Sequence, residues 1–197
     1  MELPGSLRGH KVIPVARNLT VARAPDLAAA LREGGIELIE VTMEGEDALR
    51  VIETLTSSGT LVGAGTVMTV AEAREAIGSG ASFLVSPHLD PDLVAWAAEH
   101  NHPYLPGVLS PSEIAVAIGL GTSSVKLFPA GGPAHVTALR GPFPRIALVP
   151  SGGVDDGNAA DYMAAGSAAI AVGGWLTAPD DLDLVKQRAA ALVAAVA

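Results

Sequence analysis

The sequence predicts an α/β protein and, within that class, a compact (β/α)8 TIM barrel in which residues 1–197 form a single domain. Short apolar runs recur along the chain, Ala-rich stretches with helical spacing separate them, and the step between successive runs is about 22 residues. Runs that are apolar at nearly every position are typical of strands buried on both faces of a parallel sheet. Eight βα units at this step fit a closed barrel better than an open sheet.

The predicted strands follow one another at regular spacing. They are KVIPVA from Lys11, IELIEVT from Ile36, TLVGAGT from Thr60, SFLVSP from Ser82, PYLPG from Pro103, SVKLFP from Ser124, RIALVPSGG from Arg145 and SAAIAVGG from Ser167. Helix signals lie between them: Asp90-Pro91 opens one helix, and Gly34-Gly35, Gly80 and Gly166 close others. The alternative is a doubly wound sheet, but no GxGxxG motif follows the first strand.

Composition and charge exclude several classes of protein. A chain of 197 residues that is 49% hydrophobic can bury a core without disulfides or metals. Because it has no cysteine, a disulfide framework, a zinc ribbon and a thiol nucleophile are excluded. The formal charge of −9 argues against a nucleic-acid partner. A small anionic substrate is compatible with this charge only if the chain builds a local positive pocket.

Residues 162–179 contain no charged side chain, which gives them the minimum length of a membrane span. Glycines at positions 166, 173 and 174 divide this stretch, so we interpret it as a helix end, a turn and a strand. The N-terminal MELPGSLRGH lacks the apolar region of a signal peptide. We therefore predict a cytoplasmic protein with no membrane association, whose last helix packs on the barrel.

Two charged residues of the predicted strands are candidates for catalysis. Lys126 stands in the middle of SVKLFP, and burial there favours the neutral amine that a Schiff-base nucleophile requires. Glu40 in IELIEVT shares a face with Leu38 and Thr42, and an apolar environment suits its carboxyl group to general acid/base work. The structural alternative is a buried ion pair between Lys126 and Glu40, which is compatible with catalysis.

Further candidates follow other strands, at the end of a barrel where active sites are found. Backbone N–H groups at two glycine-rich strand ends could bind a phosphate, although tight turns are the alternative; these ends contain Ser151, Gly152, Gly153, Gly173 and Gly174. Arg17 could meet a carboxylate, or it could be a surface residue. Thr66 could add a hydroxyl donor. No convergent set of metal ligands is visible, so we predict neither a metal nor a cofactor.

An ordered set of motifs identifies a resemblance. GGIELIEVTME, LVGAGTV, FLVSPHLD, YLPGVLSPSE, VKLFPA, GPFP, SGGV and VGGWL resemble the 2-keto-3-deoxy-6-phosphogluconate aldolase/2-keto-4-hydroxyglutarate aldolase family. The resemblance implies a class I aldolase of carbohydrate metabolism, of the Entner-Doudoroff type, that releases pyruvate and is usually a homotrimer without metal. By motif, Lys126 resembles the Schiff-base lysine and Glu40 the proton shuttle. Pro87 and Phe128, with Thr66, resemble residues of the pyruvyl pocket, and the two glycine pairs with Ser151 resemble the phosphate site.

The chain departs from the family pattern at two positions. Members that act on the gluconate epimer typically have EVTLR, in which the arginine helps to hold the substrate carboxylate, whereas Glu44 stands here in EVTME. Arg17 matches an arginine of members that act on the galactonate epimer. A serine or aspartate often seen after the second glycine pair is also missing, since Trp175 follows Gly174 directly.

The predicted function is the reversible cleavage of a 2-keto-3-deoxy sugar acid to pyruvate and an aldehyde such as glyceraldehyde 3-phosphate. Two alternatives stay open. A phosphate-binding barrel isomerase or epimerase would share the glycine loops without needing the lysine. A non-catalytic sugar-phosphate binder is favoured by one feature, Glu44 in place of arginine.

Overall fold

The structure is a computed structural model and describes residues 3–197, in which strands alternate with helices. The strands are β1 (Val12–Ala16), β2 (Leu38–Thr42), β3 (Leu61–Gly65), β4 (Phe83–Val85), β5 (Tyr104–Leu105), β6 (Gly107–Val108), β7 (Ser124–Leu127), β8 (Ala147–Pro150) and β9 (Ile170–Val172). A short 3-10 helix, Gly5–Leu7, precedes β1. The α-helices are α1 (Ala24–Glu33), α2 (Ala48–Ser57), α3 (Val70–Gly78), α4 (Pro91–Glu99), α5 (Pro111–Gly119), α6 (Pro133–Arg140), α7 (Ala159–Ala164), α8 (Gly174–Thr177) and α9 (Leu182–Ala195).

The strands form two parallel sheets. One has six strands in the order β5-β4-β3-β2-β1-β9, and the other has three in the order β6-β7-β8. Every strand pairing between residues 3 and 197 is parallel, and a single parallel bridge joins Ser151, just after β8, to Ala171 in β9. The predicted α/β class with parallel strands is therefore confirmed.

The fifth predicted strand is divided into two. Pro106 separates β5 from β6, and a proline has no N–H with which to continue a ladder of hydrogen bonds. β5 pairs with β4, whereas β6 pairs with β7. The Pro106 carbonyl itself accepts a hydrogen bond of 2.9 Å from the Lys126 N–H. One extended segment thus serves both sheets, and the eight predicted strands become nine shorter ones in the described part of the chain.

Side chains alternate between two faces of the strands. Val12 and Ala16 of β1, together with Val125 and Leu127 of β7, belong to the large core cluster beneath the helices. Ile13 belongs to a second apolar cluster on the opposite face, which we call the inner face. This second cluster is completed by Leu3, Leu7, Val15, Leu38, Phe83, Val85, Leu105, Ala147, Val149, Ala169 and Ala171. Both faces are therefore buried, which explains the nearly continuous apolar runs of the sequence.

Helix ends follow the predicted signals. The Asp90 carboxylate caps α4 by accepting hydrogen bonds from the N–H groups of Asp92 at 2.7 Å and Leu93 at 3.2 Å. At the other end of α4, the Trp96 ring stacks on His100 and His102, with ring centroids 4.8 and 5.3 Å apart. These rings lie near the start of β5, at the amino-terminal end of the strands.

The uncharged stretch at residues 162–179 has the predicted course of helix end, turn and strand, followed by the short α8. Within residues 3–197, no helix combines the length and the apolar character needed to cross a membrane. α9 packs against α1, and the approach is close because a side chain at Gly34 would lie 2.4 Å from the Ala189 methyl group. The last helix therefore packs on the rest of the fold, as predicted.

Candidate active site

Lys126 and Glu40 meet on the inner face. Their side chains are 4% and 1% exposed, and Lys126 Nζ lies 3.5 Å from Glu40 Oε1. β2 and β7 are not neighbours in either sheet, so the contact spans the space that the inner faces enclose. A buried amine and a buried carboxyl group at this distance can exchange a proton. The two strand residues that the sequence singled out are brought together.

Two features leave Glu40 room to act. The carboxyl group lies over Gly65, where an added Cβ would be only 2.1 Å from Glu40 Oε1, so β3 must carry glycine at this position. Glu40 Oε2 is buried and accepts no hydrogen bond from residues 3–197. A buried oxygen without a partner is costly in a folded protein and is often associated with function. This oxygen is therefore available to a substrate or a water molecule.

Aromatic and proline residues surround the lysine. The Phe128 ring centroid lies 5.6 Å from Lys126 Nζ, and a cis peptide bond joins Phe128 to Pro129. The backbone at Pro87 packs against Gly107, where a Cβ would lie 2.2 Å from the Pro87 carbonyl carbon. In the residue before Pro87, Ser86 Oγ accepts a 2.9 Å hydrogen bond from the Tyr104 hydroxyl. Burial raises the pKa of Tyr104 to about 12, so this hydroxyl keeps its proton at neutral pH.

A cavity of about 400 Å³ opens beside Phe128. Its walls include most of the residues predicted for the substrate, namely Arg17, Phe128, Ser151, Gly152, Gly153, Gly173 and Gly174. Gly152 and Gly153 have φ values of 96° and 71°, a region that side chains with a Cβ rarely adopt. The glycine pair is thus required by the turn itself, which leaves its N–H groups at the cavity wall. The two glycine-rich strand ends do converge.

Trp175 and Asp155 also line this cavity, and sequence reasoning did not predict them as site residues. The Arg188 guanidinium lies 4.5 Å from the centre of the Trp175 ring and also donates a hydrogen bond to the Trp175 carbonyl. The Thr177 hydroxyl donates a 2.7 Å hydrogen bond to the Val15 carbonyl. These contacts fix α8 and, with it, the second glycine pair. Trp175 was visible in the sequence only as a departure from the family pattern.

Arg17 and Thr66 take a different arrangement from the predicted one. Arg17 Nη1 lies 2.6 Å from Glu44 Oε1, and the Thr66 hydroxyl helps to lower the pKa of the Glu44 carboxyl group. Thr66 has a φ of 55°, a left-handed conformation that is uncommon for a residue with a branched side chain. Arg17, which was predicted to meet a substrate carboxylate, therefore pairs with a carboxylate of the chain itself. The sequence signal was present in EVTME, but it did not reveal the pairing.

The described residues contain no cluster of metal ligands. Between residues 3 and 197, no three His, Cys, Asp or Glu side chains are grouped so that they could hold a metal ion.

Comparison with known proteins agrees with this geometry. Residues 4–194 match the family described as KDPG and KHG aldolase. A 2-dehydro-3-deoxy-phosphogluconate aldolase of Treponema pallidum is 40% identical over 176 residues, which cover 87% of this chain and 84% of the relative. A probable 2-dehydro-3-deoxy-6-phosphogalactonate aldolase of Rhizobium meliloti is 36% identical over 191 residues, covering 93% and 90%.

Solved structures give the same result. The crystal structure of KDPG aldolase from Legionella pneumophila, with pyruvate captured as a covalent carbinolamine intermediate, is 32% identical in sequence. It superposes with a TM-score of 0.86 over 93% of this chain and 94% of that one. The family match, over residues 4–194, includes every residue of the site described above. The chain belongs to the KDPG and KHG aldolase family.

Proposed function

We propose that this chain is a class I aldolase that reversibly cleaves a 2-keto-3-deoxy sugar acid, most readily 2-keto-3-deoxy-6-phosphogluconate, to pyruvate and glyceraldehyde 3-phosphate. The observation that carries the proposal is the buried contact between Lys126 Nζ and Glu40 Oε1 at 3.5 Å. A lysine is an expensive residue to bury, and a nucleophilic amine is one chemical reason to do so. The relatives named as aldolases, and the one with captured pyruvate, support the same reaction.

The first half of the reaction forms the covalent intermediate. Glu40 takes a proton from Lys126, and the neutral amine attacks the C2 ketone of the substrate. Glu40 returns a proton to the carbinolamine hydroxyl, which leaves as water, and an iminium ion remains on Lys126. The iminium group at C2 is an electron sink next to C3, so it can accept the electron pair of the C3–C4 bond when that bond breaks.

The second half breaks and remakes bonds at C3. The Glu40 carboxylate accepts the proton of the C4 hydroxyl, the C3–C4 bond breaks, and its electron pair enters the iminium system to form an enamine. The aldehyde leaves with its new carbonyl at C4. Glu40 then protonates C3, and water hydrolyses the resulting imine to release pyruvate and the free lysine. Acid/base help of this kind contributes roughly 10²–10⁴-fold to the rate.

We assign the remaining site residues by their position around the cavity. Phe128 and Pro87 flank the pyruvyl moiety next to Lys126. The N–H groups of the two glycine pairs, with Ser151, receive the phosphate, because left-handed glycine turns present adjacent N–H groups to an anion. Arg17 and Thr66 receive the carboxylate of the substrate, and no metal or cofactor takes part.

We also propose that the two sheets are parts of one (β/α)8 barrel and that residues 1–197 form one domain. The bridge between Ser151 and Ala171, the division of one segment into β5 and β6, and the contact of Lys126 with Glu40 across the inner face support a closed ring of strands. For the quaternary structure we propose a cytoplasmic homotrimer. It is supported by exposed apolar side chains on and around α5, including Val116, Ile118 and Leu120.

Borohydride reduction in the presence of pyruvate tests the proposed function. The expected result is that the reduced chain gains one carboxyethyl group, the reduced form of the pyruvyl imine, and that peptide mapping places this group on Lys126. The matched control is Lys186→Met, which removes an exposed lysine that pairs with Glu33 and should leave the adduct intact. Lys126→Met should give no adduct and no turnover. An isomerase or a passive binder would give no adduct in the unmodified chain.

A further inference from the structure

Glu44 and Arg17 face each other at the carboxyl ends of two neighbouring strands. Arg17 directly follows β1, and Glu44 comes two residues after β2, which pairs with β1 in parallel register. Their side chains are 51% and 34% exposed, and Arg17 Nη1 lies 2.6 Å from Glu44 Oε1. The pair is thus close and charged, yet both partners have access to solvent.

The Glu44 carboxylate accepts a hydrogen bond of 2.6 Å from Arg17. Partial burial raises the pKa of this group, but hydrogen bonds from its own backbone N–H, the Arg17 guanidinium and the Thr66 hydroxyl outweigh burial and hold the pKa below its ordinary value of 4.5. Glu44 is therefore ionised at neutral pH. A guanidinium, a hydroxyl and a backbone N–H are also the donors that any bound carboxylate requires.

These donors stand next to the reacting groups. Thr66 directly follows Gly65, against which the Glu40 carboxyl group packs. Arg17 lines the same cavity as Phe128, whose ring lies 5.6 Å from Lys126 Nζ. A 2-keto acid joined to Lys126 through C2 has its carboxylate one bond further on. The donor that could receive this carboxylate is Arg17, which now pairs with Glu44.

We propose that the Glu44 carboxylate competes with the substrate carboxylate for Arg17 and so sets how tightly the site binds a 2-keto acid. The proposal rests on the proposed function, because it assumes a 2-keto acid on Lys126. Two carboxylates at one guanidinium repel each other, so Glu44 must turn outward when the substrate enters. Its partial exposure leaves it a path into solvent.

The consequence is weaker binding of every 2-keto acid. Pyruvate must displace Glu44 with its carboxylate alone, so its affinity is low. A phosphorylated sugar acid must displace Glu44 as well, but its second anionic group binds at the glycine pairs and keeps its overall affinity high. Glu44 therefore lowers the affinity for both substrates by the same factor and does not alter the ratio between them.

The experiment measures the pyruvate concentration that gives half of the maximal rate of borohydride trapping on Lys126. Glu44→Gln keeps the shape of the side chain, and Glu44→Ala removes it. For both variants we expect the half-saturating concentration to fall about two- to fivefold, the range expected for release of a partly exposed ion pair. The control is Glu46→Gln, which removes the same charge from an exposed position in the same loop and should change nothing.

A double-mutant cycle connects the effect to Arg17. The gain from Glu44→Ala should disappear when Arg17→Met is also present, because there is then no guanidinium to compete for. An unchanged or higher half-saturating concentration in both Glu44 variants would overturn the proposal, and so would a gain that persists without Arg17. The absence of any adduct in the unmodified chain is a separate outcome, since it refutes the proposed function as well.

Discussion

The inner face has two layers that differ in chemistry although the same strands build them. Near the amino-terminal ends of the strands, Ile13, Leu38 and Phe83 form an apolar layer that is almost fully buried. Further along the strands, Lys126 and Glu40 are just as buried but carry charge. Burying a large apolar side chain stabilises the fold by about 1.5–3 kcal/mol, whereas burying an ion pair gains little or costs stability. Stability and chemistry are therefore separated along the strand axis.

Strand β3 shows how one sequence serves both layers. Gly63 leaves room for the Phe83 ring, which would lie 2.1 Å from a Cβ at this position, and Gly65 leaves the same room for Glu40. The two glycines are two residues apart and so point to the same face. The absence of a side chain at Gly63 lets the apolar layer close, and its absence at Gly65 lets the Glu40 carboxyl group lie next to Lys126.

The largest effect is expected in the charged layer. Glu40→Gln keeps the size of the side chain but removes its ability to exchange protons, so turnover should fall roughly 10²–10⁴-fold. Trapping of pyruvate on Lys126 should continue at a reduced rate, and the melting temperature should fall, because the change leaves Lys126 buried without a carboxylate partner. Steady-state kinetics and thermal unfolding measured on one preparation check both statements. A variant with full turnover would show that another group moves the protons.

Phe83→Ala, in the apolar layer, should lower the stability of the fold without lowering turnover. Removing a ring that is wholly buried leaves a cavity, and we expect the free energy of unfolding to fall by about 3–5 kcal/mol. Turnover per folded molecule should stay close to that of the unmodified chain. Urea unfolding and an active-site titration with pyruvate provide the two numbers. The separation of layers would be contradicted if activity per folded molecule fell as strongly as it does in Glu40→Gln.

The glycines of β3 allow the sharpest comparison, because each serves as the control for the other. Gly63→Ala and Gly65→Ala add the same methyl group to the same strand, and each should destabilise the fold by roughly 1–3 kcal/mol through overpacking. Gly65→Ala should also displace the Glu40 carboxyl group and reduce turnover about 10-fold or more, since small misplacements of catalytic groups are costly. Equal losses of turnover in the two variants would argue against this division.

A smaller effect is expected outside both layers. Glu113 closes a capping box at α5 by accepting hydrogen bonds of 2.7 Å from the Ser110 N–H and 3.0 Å from the Leu109 N–H. These bonds lower the pKa of Glu113 below 4.5, so the stability they supply is present above pH 4.5 and is lost as the pH falls through the lowered pKa. Glu113→Gln should cost about 0.5–1 kcal/mol near neutral pH without changing turnover.

Thermal unfolding between about pH 3 and 7 is the corresponding measurement. The difference between the unmodified chain and Glu113→Gln should shrink as the solution becomes more acidic. Glu75→Gln removes the same charge from an exposed position in α3 and serves as the control, because only the backbone of Glu75 takes part in a helix cap. A difference that does not vary with pH would mean that the carboxylate charge is unimportant in the cap.

Sequence reasoning predicted the residues that stand out inside strands. Lys126 and Glu40 were identifiable because a charge within an apolar run needs a reason, and alternation places each with alternate residues of its own strand. The contacts beyond the strand ends were not predictable in the same way. The direction of Arg17 depends on how the loops after β1 and β2 pack, and spacing along the chain carries no information about this. The break at Pro106 was visible in the sequence as a proline. The division of the strand between two sheets depends on which strands lie beside β5 and β6, and the sequence does not show this.

The two tryptophans of the chain lie at opposite ends of the strands. Trp175 lines the cavity beside Phe128, whereas Trp96 stacks on His100 and His102 near the amino-terminal ends of the strands. Their fluorescence should therefore respond differently when the cavity is filled. Occupation of the cavity should alter the emission of Trp175, whereas the emission of Trp96 should stay unchanged. The enzyme thus carries its own optical probe of binding, together with an internal reference.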